Sequence, residues 1–195
     1  MYTIKKITFD EILPVWRNKL WPDRESKIEP NSAMCFYKQN KTHPDLDHIH
    51  LEKYDLRNME TEPTFWGAYD GNKLIGVNSG HMCFGKMYRS RGLYVDPDYR
   101  HAGLGKKLLL KTIAQGVHEG AILVWSFPKL DVWNKVYKKV DFQITSHSWN
   151  FRPEVSETGV NIRAAVIINE KIVNNLTKEA LCKLVDEDVL LVGGE

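Results

Sequence analysis

The sequence predicts an α/β fold of the α+β type, a mixed and mostly antiparallel sheet with helices packed against it. Three observations carry this. Segments with strand and helix periodicity alternate along the chain. An Asp70-Gly71 turn joins two runs of strand character, which predicts an antiparallel hairpin. An amphipathic helix pattern (Leu104, Leu108, Leu109, Ile113, Val117) then leads into a nearly continuous apolar run, Ala121 to Phe127, as expected of a strand buried on both faces.

Taken in order, Tyr2 to Ile7 alternates weakly and predicts the first strand. Thr8 and Glu11 have capping-box spacing, and Ile7 and Ile12 are placed as a hydrophobic staple, so a helix is expected to run to about Leu20. Pro14 lies inside it and should kink it or mark its true start. Trp21 to Pro63 is rich in proline, histidine and charge. It predicts loops with a short helix or two, the segment expected to surround a substrate. Thr64 to Tyr69, Lys73 to Phe84 and Met87 to Val95 predict three antiparallel strands, joined by Asp70-Gly71-Asn72 and Gly85-Lys86. A helix follows from Gly103 to Glu119, with Gly120 as its C-cap glycine. Leu130, Trp133, Val136, Tyr137 and Val140 have the spacing of a further helix. Phe142 to Phe151 and Asn161 to Ile168 predict two more strands, and Thr177 to Glu187 a last helix.

The 195 residues fit one domain with a short extension, divided here as 1–152 and 153–195. With 27 basic and 25 acidic residues the net charge is +2, which favours neither a nucleic-acid binder nor a membrane-surface protein. No signal-like start and no apolar run near membrane-spanning length is seen, so a cytoplasmic protein is expected. Cys35, Cys83 and Cys182 are odd in number and widely spaced, which predicts free thiols in a reducing compartment, most simply as buried small side chains.

Chemistry concentrates in Leu93-Tyr94-Val95-Asp96-Pro97-Asp98-Tyr99-Arg100-His101-Ala102-Gly103-Leu104-Gly105-Lys106. A strand ends, a proline-containing turn follows, and two glycines open a long helix. Glycines there let a ligand approach the backbone, and the unpaired N–H groups of the helix start attract an anion such as a pyrophosphate. The spacing fails for a P-loop, because Lys107 follows Gly105-Lys106 and no glycine lies five positions before Gly105. It fails for a dinucleotide fingerprint because Leu108 stands where a third glycine is needed.

What fits is R-x-x-G-x-G, with Arg100, Gly103 and Gly105 at its three fixed positions after Val95-Asp96-Pro97. Over roughly Met1 to Phe151 the chain resembles the GNAT superfamily of acyl-CoA-dependent amine acyltransferases. A second match lies downstream, where Tyr137, Lys139 and Phe142 fit Y-x-K-x-G-F, with Asp141 in place of the glycine. That glycine takes positive φ, which Asp tolerates better than most residues.

The resemblance implies helices on both faces of the sheet, with strands four and five splayed. It implies acetyl-CoA as cosubstrate, held by Leu93, Val95 and the run Arg100, His101, Ala102, Gly103, Leu104, Gly105 and Lys106. The N–H groups of Leu93 and Val95 would hold the acetyl carbonyl, and Tyr137 would protonate the leaving thiolate; the alternative for Tyr137 is a core residue bonded to the backbone. Leu130 and Trp133 depart from the family pattern, which commonly has Asn and a small residue there. No acid lies between Met87 and Val95 to serve as base; His81 and Glu29 are candidates, though His81 reads first as a satisfied strand histidine.

Arg89 and Arg91 alternate onto one face of a central strand. They read equally as a clamp for an acidic acceptor or as structural ion pairs to Asp70 or Glu62. Trp16, Trp21 and Trp66, with Phe36 and Tyr37, line an acceptor pocket or simply the core. His43, Asp45, Asp47, His48 and His50 lack a completing pair and are taken as a polar loop rather than a metal site. The expected activity is acetylation of a primary amine, a small molecule or amino acid. The rival is an acyl-CoA-binding regulatory protein without turnover. A homodimer through the C-terminal part is a further expectation.

Overall fold

The computed structural model describes residues 2–25, 27–31, 62–83, 87–121, 123–144 and 164–167. Strand β1 is Tyr2–Ile7, β2 Thr64–Asp70, β3 Lys73–Cys83, β4 Met87–Val95, β5 Leu123–Ser126, β6 Gln143–Ile144 and β7 Ala164–Ile167. They form one mixed sheet in the order β1-β2-β3-β4-β5-β7-β6. Among the described residues only the β4–β5 pairing is parallel; the other five neighbour pairs are antiparallel. The β2–β3 hairpin turns at Gly71, whose φ of 57° is the conformation its Asp-Gly signal demands. β7 lies between β5 and β6, so residues from beyond position 152 complete the sheet.

Helix α1, Phe9–Val15, begins as its sequence dictates. Thr8 accepts from the Glu11 N–H, and the Glu11 carboxylate accepts from the Thr8 N–H at 2.7 Å. Hydrogen bonding to the Thr8 backbone and side chain holds the Glu11 carboxyl below its ordinary value, against a smaller opposing effect of desolvation. Pro14 neither starts nor ends the helix. The chain passes through it and widens into a π turn over Trp16–Leu20, closed by Trp21 N–H to Trp16 O at 2.8 Å. The missing proline N–H is thus absorbed by a change of helical pitch.

Helix α2, Leu104–His118, lies on the opposite face. Its C-terminus is a Schellman turn: Ala121 N–H reaches Gly116 O at 2.9 Å, Gly120 N–H reaches Val117 O at 3.1 Å, and Gly120 has φ 79°. Ile7, Ile12, Trp16, Phe65 and Val77 pack on the α1 face. Trp66, Ala68, Ile75, Leu104 and Leu108 pack on the α2 face, which separates Trp66 from Trp16 and Trp21 and removes it from any shared acceptor pocket.

The helix expected over 130–140 is broken in two. Helix α3 is Leu130–Lys135, Val136 leaves the helical region at φ −126°, and Tyr137–Val140 forms a separate 3-10 turn. Leu130, part of the apolar spacing that predicted this helix, is exposed. Cys83 is disulfide-bonded, contrary to the free thiols expected from number and spacing, which carry no information about proximity in space. That bond also removes the cysteine argument for a reducing compartment. The His43–His50 cluster, Phe36, Tyr37 and the 177–187 helix lie outside the described residues. No helix among the described residues is long and apolar enough to cross a membrane.

Candidate active site

The site is created by a fork in the sheet. β4 pairs with β5 only through Met87–Leu123, Tyr88–Val124 and Arg89–Trp125. Ser90 to Val95 has no register partner in β5 among the described residues, so the two strands part beyond Arg89, as the expected splay requires.

A β-bulge then redirects β4. Tyr94 pairs with Val77 and Arg91 with Ser79, leaving Asn78 opposite both Gly92 and Leu93. Gly92 has φ 73°, and a Cβ there would run into the Trp16 indole, so the position tolerates only glycine. The Gly92 carbonyl accepts from Trp16 Nε1 at 2.9 Å, which ties the bulge to the first helix. The bulge puts Arg89 and Arg91 on the α1 face and Leu93 and Val95 on the α2 face.

It also fixes where the backbone points. Asp96 N–H donates to Ile75 O at 2.8 Å, so the neighbouring Val95–Gly76 pair is of the non-bonded kind. The Val95 N–H therefore faces away from β3, into the fork, and Leu93, two residues earlier, shares that edge.

The mouth of the fork meets the start of α2. Gly103, at φ 75°, is the N-cap, and His101 also takes positive φ at 69°. His101, Ala102, Gly103 and Lys106 are exposed, and Arg100 folds back so that its Nε donates to Val95 O at 3.0 Å. Leu104 is buried against the sheet and offers only its backbone N–H outward. Whether these residues suit a pyrophosphate is decided by the glycines. A Cβ on Gly103 would meet nothing within 4 Å, and one on Gly105 would make ordinary contacts with Val136 at 3.5 Å and Val95 at 3.6 Å. Neither is small because the protein fills its place; Gly103 also holds the positive φ that favours glycine, so Gly105 carries the steric argument. The open helix start, with its unpaired N–H groups, fits the diphosphate of CoA.

Tyr137 stands at the crotch. Its side chain is 3% exposed and packs edge-on against Phe142. Ser126 Oγ, the last residue of β5, lies 2.9 Å from the Ser90 carbonyl and 3.1 Å from Tyr137 Oη. A serine has one hydroxyl proton. The carbonyl can only accept, so it takes that proton, and the Tyr137 hydroxyl donates to Ser126 Oγ. The tyrosine is bonded to a side chain at the fork, not to backbone. Burial raises its pKa above the ordinary phenol value, while the Ser126 and Ser90 hydroxyls and the Arg89 charge pull partly in the other direction. The turn that aims it ends on Asp141 at φ 64°, the positive-φ position where the motif has glycine.

On the α1 face lie His81, Arg89 and Arg91, all buried. Arg89 stacks on Trp125 at 4.8 Å. Arg91 stacks on Trp16 at 4.8 Å and Trp21 at 5.1 Å, and its Nη1 donates to the carbonyls of Glu29 (2.7 Å) and Pro30 (3.2 Å). The ion pair to Asp70 or Glu62 weighed for Arg91 is replaced by these two carbonyls; Asp70 instead accepts from the Tyr99 hydroxyl. Burial, aided by Arg91, pushes Arg89 down to about 9; burial, aided by Arg24, pushes Arg91 down to about 10. His81 is held neutral, well below its ordinary pKa, by burial and by the two guanidiniums.

Sequence reasoning missed Ser126, Ser90 and the Gly92 bulge. The signals were present: a serine ending an apolar strand run, and a glycine inside a strand.

A sheet forked in this way defines the class of enzymes that run an acyl thioester between two parted strands of one sheet. Residues 19–142 match the Acetyltransferase (GNAT) family, and the chain belongs to that family: it is an acetyltransferase. No curated protein sequence matches it. Among solved structures it is similar in fold to the ribosomal-protein-S18-alanine N-acetyltransferase of Escherichia coli, at 16% identity and TM-score 0.57, covering 87% of this chain and 95% of that one. The IAA acetyltransferase of Bacillus cereus gives 15% identity and TM-score 0.54, over 86% and 100% of the two chains. The PaiA N-acetyltransferase of Thermoplasma acidophilum, solved in complex with coenzyme A, gives 16% identity and TM-score 0.52, over 86% and 99%.

Proposed function

We propose that the protein transfers an acetyl group from acetyl-CoA to a small primary amine or amino acid that approaches from the Arg89–Arg91 face. The carrying observation is the Tyr137 hydroxyl at the point where β4 leaves β5. Acetyl-CoA would supply an activated thioester and a thiol leaving group.

The chain's own residues do the rest. N–H groups of the α2 start, at Gly103 to Lys106, and the Arg100–Ala102 turn hold the diphosphate. Leu93 and Val95 N–H groups hold the pantetheine arm and the acetyl oxygen. Fixed backbone donors need no reorganisation as negative charge grows on that oxygen, an effect of about 3 kcal/mol for one donor. Tyr137 would turn its O–H from Ser126 Oγ to the departing sulfur and give it its proton, and the phenolate would regain a proton from solvent once CoA has left. Because burial raises its pKa, Tyr137 is protonated throughout the neutral range, the state a general acid needs.

The test is thiol release from acetyl-CoA with a panel of amines and amino acids. Tyr137→Phe should lower kcat by roughly 10²–10⁴-fold while acetyl-CoA still binds. Unchanged kcat would remove Tyr137 from the chemistry, and failure of wild type to bind CoA at micromolar levels would remove the whole reading.

A further inference from the structure

Building on that reading, we infer that the acceptor carries a carboxylate, and that Arg91 is the residue that binds it, through the side-on edge formed by Nε and Nη2.

A guanidinium offers five N–H donors. In Arg91 the side-chain hydrogen bonds are all made by one nitrogen: Nη1 donates to the Glu29 and Pro30 carbonyls. Those bonds, with the stacking on Trp16 and Trp21, fix the plane of the group. Nε and Nη2 have no protein partner among the described residues. They form one flat edge with two parallel N–H groups, the geometry that matches a carboxylate in a bidentate bond.

Charge points the same way. Arg91 is 6% exposed, yet its hydrogen-bond partners are neutral carbonyls. Arg89 lies two residues away on the same face, and Arg24 stacks on the same Trp21. The Glu29 carboxylate acts in favour of this cation, but it is itself partly exposed and paired with Lys27 at 2.8 Å, so a buried guanidinium whose hydrogen bonds go to neutral carbonyls stays attractive to an anion. Position completes the argument. Arg91 sits just past the last β4–β5 pair, on the face opposite Tyr137. A carboxylate held there leaves the amine of the same molecule directed at the fork, with the protonated Tyr137 phenol on the far side for the leaving sulfur.

Arg91 therefore selects amino acids over simple amines. Acceptors differing in one group test this: L-α-amino acids against the matching L-α-amino-acid amides, with acetyl-CoA fixed. Wild type is expected to favour the carboxylate member of at least one pair by 100-fold or more in kcat/KM. Arg91→Met should collapse that ratio to within about threefold of unity, and Arg91→Lys should leave it intermediate. The ratio is internal to each protein, so partial loss of folded enzyme does not affect it. A second measurement uses wild type alone: N-acetyl-amino acids should quench tryptophan fluorescence in a saturable way, and their carboxamides should not.

Equal kcat/KM for acids and amides, with turnover, overturns the carboxylate assignment and leaves the acetyltransferase reading standing. Quenching by N-acetyl-amino acids without turnover on any acceptor supports the carboxylate site and overturns the reaction. No turnover and no quenching overturns both.

Discussion

One proton decides the role of Tyr137. With Ser126 Oγ committed to the Ser90 carbonyl, the phenol must donate to Ser126, and it is thereby aimed along the fork. Ser126→Ala removes that partner while leaving the apolar packing of the ring on Phe142 intact. A single hydrogen bond is worth about 1 kcal/mol, so kcat should fall by roughly fivefold, with KM for acetyl-CoA unchanged. Ser126→Thr keeps the hydroxyl and should restore most of the rate. Steady-state kinetics of the two variants check this, and equal losses in both would mean that shape, not the hydroxyl, matters. Asp141 poses a different residue-scale question. It holds φ 64° without a glycine's freedom. Asp141→Gly should stabilise the protein by up to about 1 kcal/mol, and Asp141→Val should cost about 2, read from urea midpoints. The motif position of Asp141 was legible because a single residue type encodes the backbone demand. The Ser126 partnership was not, since it joins a strand end to a turn that only the folded sheet brings together.

At the scale of elements, the legible parts were those whose signals are local. The Thr8–Glu11 cap, the Asp70-Gly71 hairpin and the Gly120 stop each lie within a few residues of the structure they specify. Facing was harder, because it depends on register. Strict alternation would put Arg89, Arg91, Leu93 and Val95 on one face of β4. The bulge at Gly92 reverses the phase, so the arginines face α1 while Leu93 and Val95 face α2. One glycine thereby separates the cationic side of β4 from the side that packs against α2. The break in the helix at Val136 was hidden for a similar reason: apolar spacing continued through a backbone change that tertiary contacts impose. Gly105 gives the element-scale prediction. A methyl group there meets no protein atom closer than 3.5 Å. Gly105→Ala should therefore stabilise α2, by up to about 1 kcal/mol from helix propensity alone. The same methyl group would stand where a diphosphate must approach the backbone, so KM for acetyl-CoA should rise tenfold or more. A higher melting temperature together with weaker CoA binding is the expected pair of results; unchanged binding would show that the diphosphate does not lie against Gly105.

The molecule as a whole sets one face of its sheet against the other: hydroxyl-lined and apolar toward α2, cationic and aromatic toward α1. His81 reports on the cost of that arrangement. It is fully buried, pairs in register with Arg89, and is kept neutral by burial and by both guanidiniums. In the unfolded chain the same imidazole takes up a proton below about pH 6.5. Between that value and its depressed folded pKa, the unfolded state binds one more proton than the native state. Stability must then fall as pH is lowered, by about 1.4 kcal/mol per unit once well below 6.5. Glu11, whose folded pKa is also depressed, adds its own loss only at lower pH, as the medium approaches carboxylate values. The window from pH 6.5 to 5 thus isolates histidine. Other histidines of the chain contribute equally to wild type and to His81→Asn, so the difference in slope belongs to His81. Urea unfolding at several pH values should give wild type a steeper decline than the variant by about 1.4 kcal/mol per unit. Parallel slopes would mean that His81 is charged in the native state, and that the α1 face holds an acid sufficient to offset three buried cations.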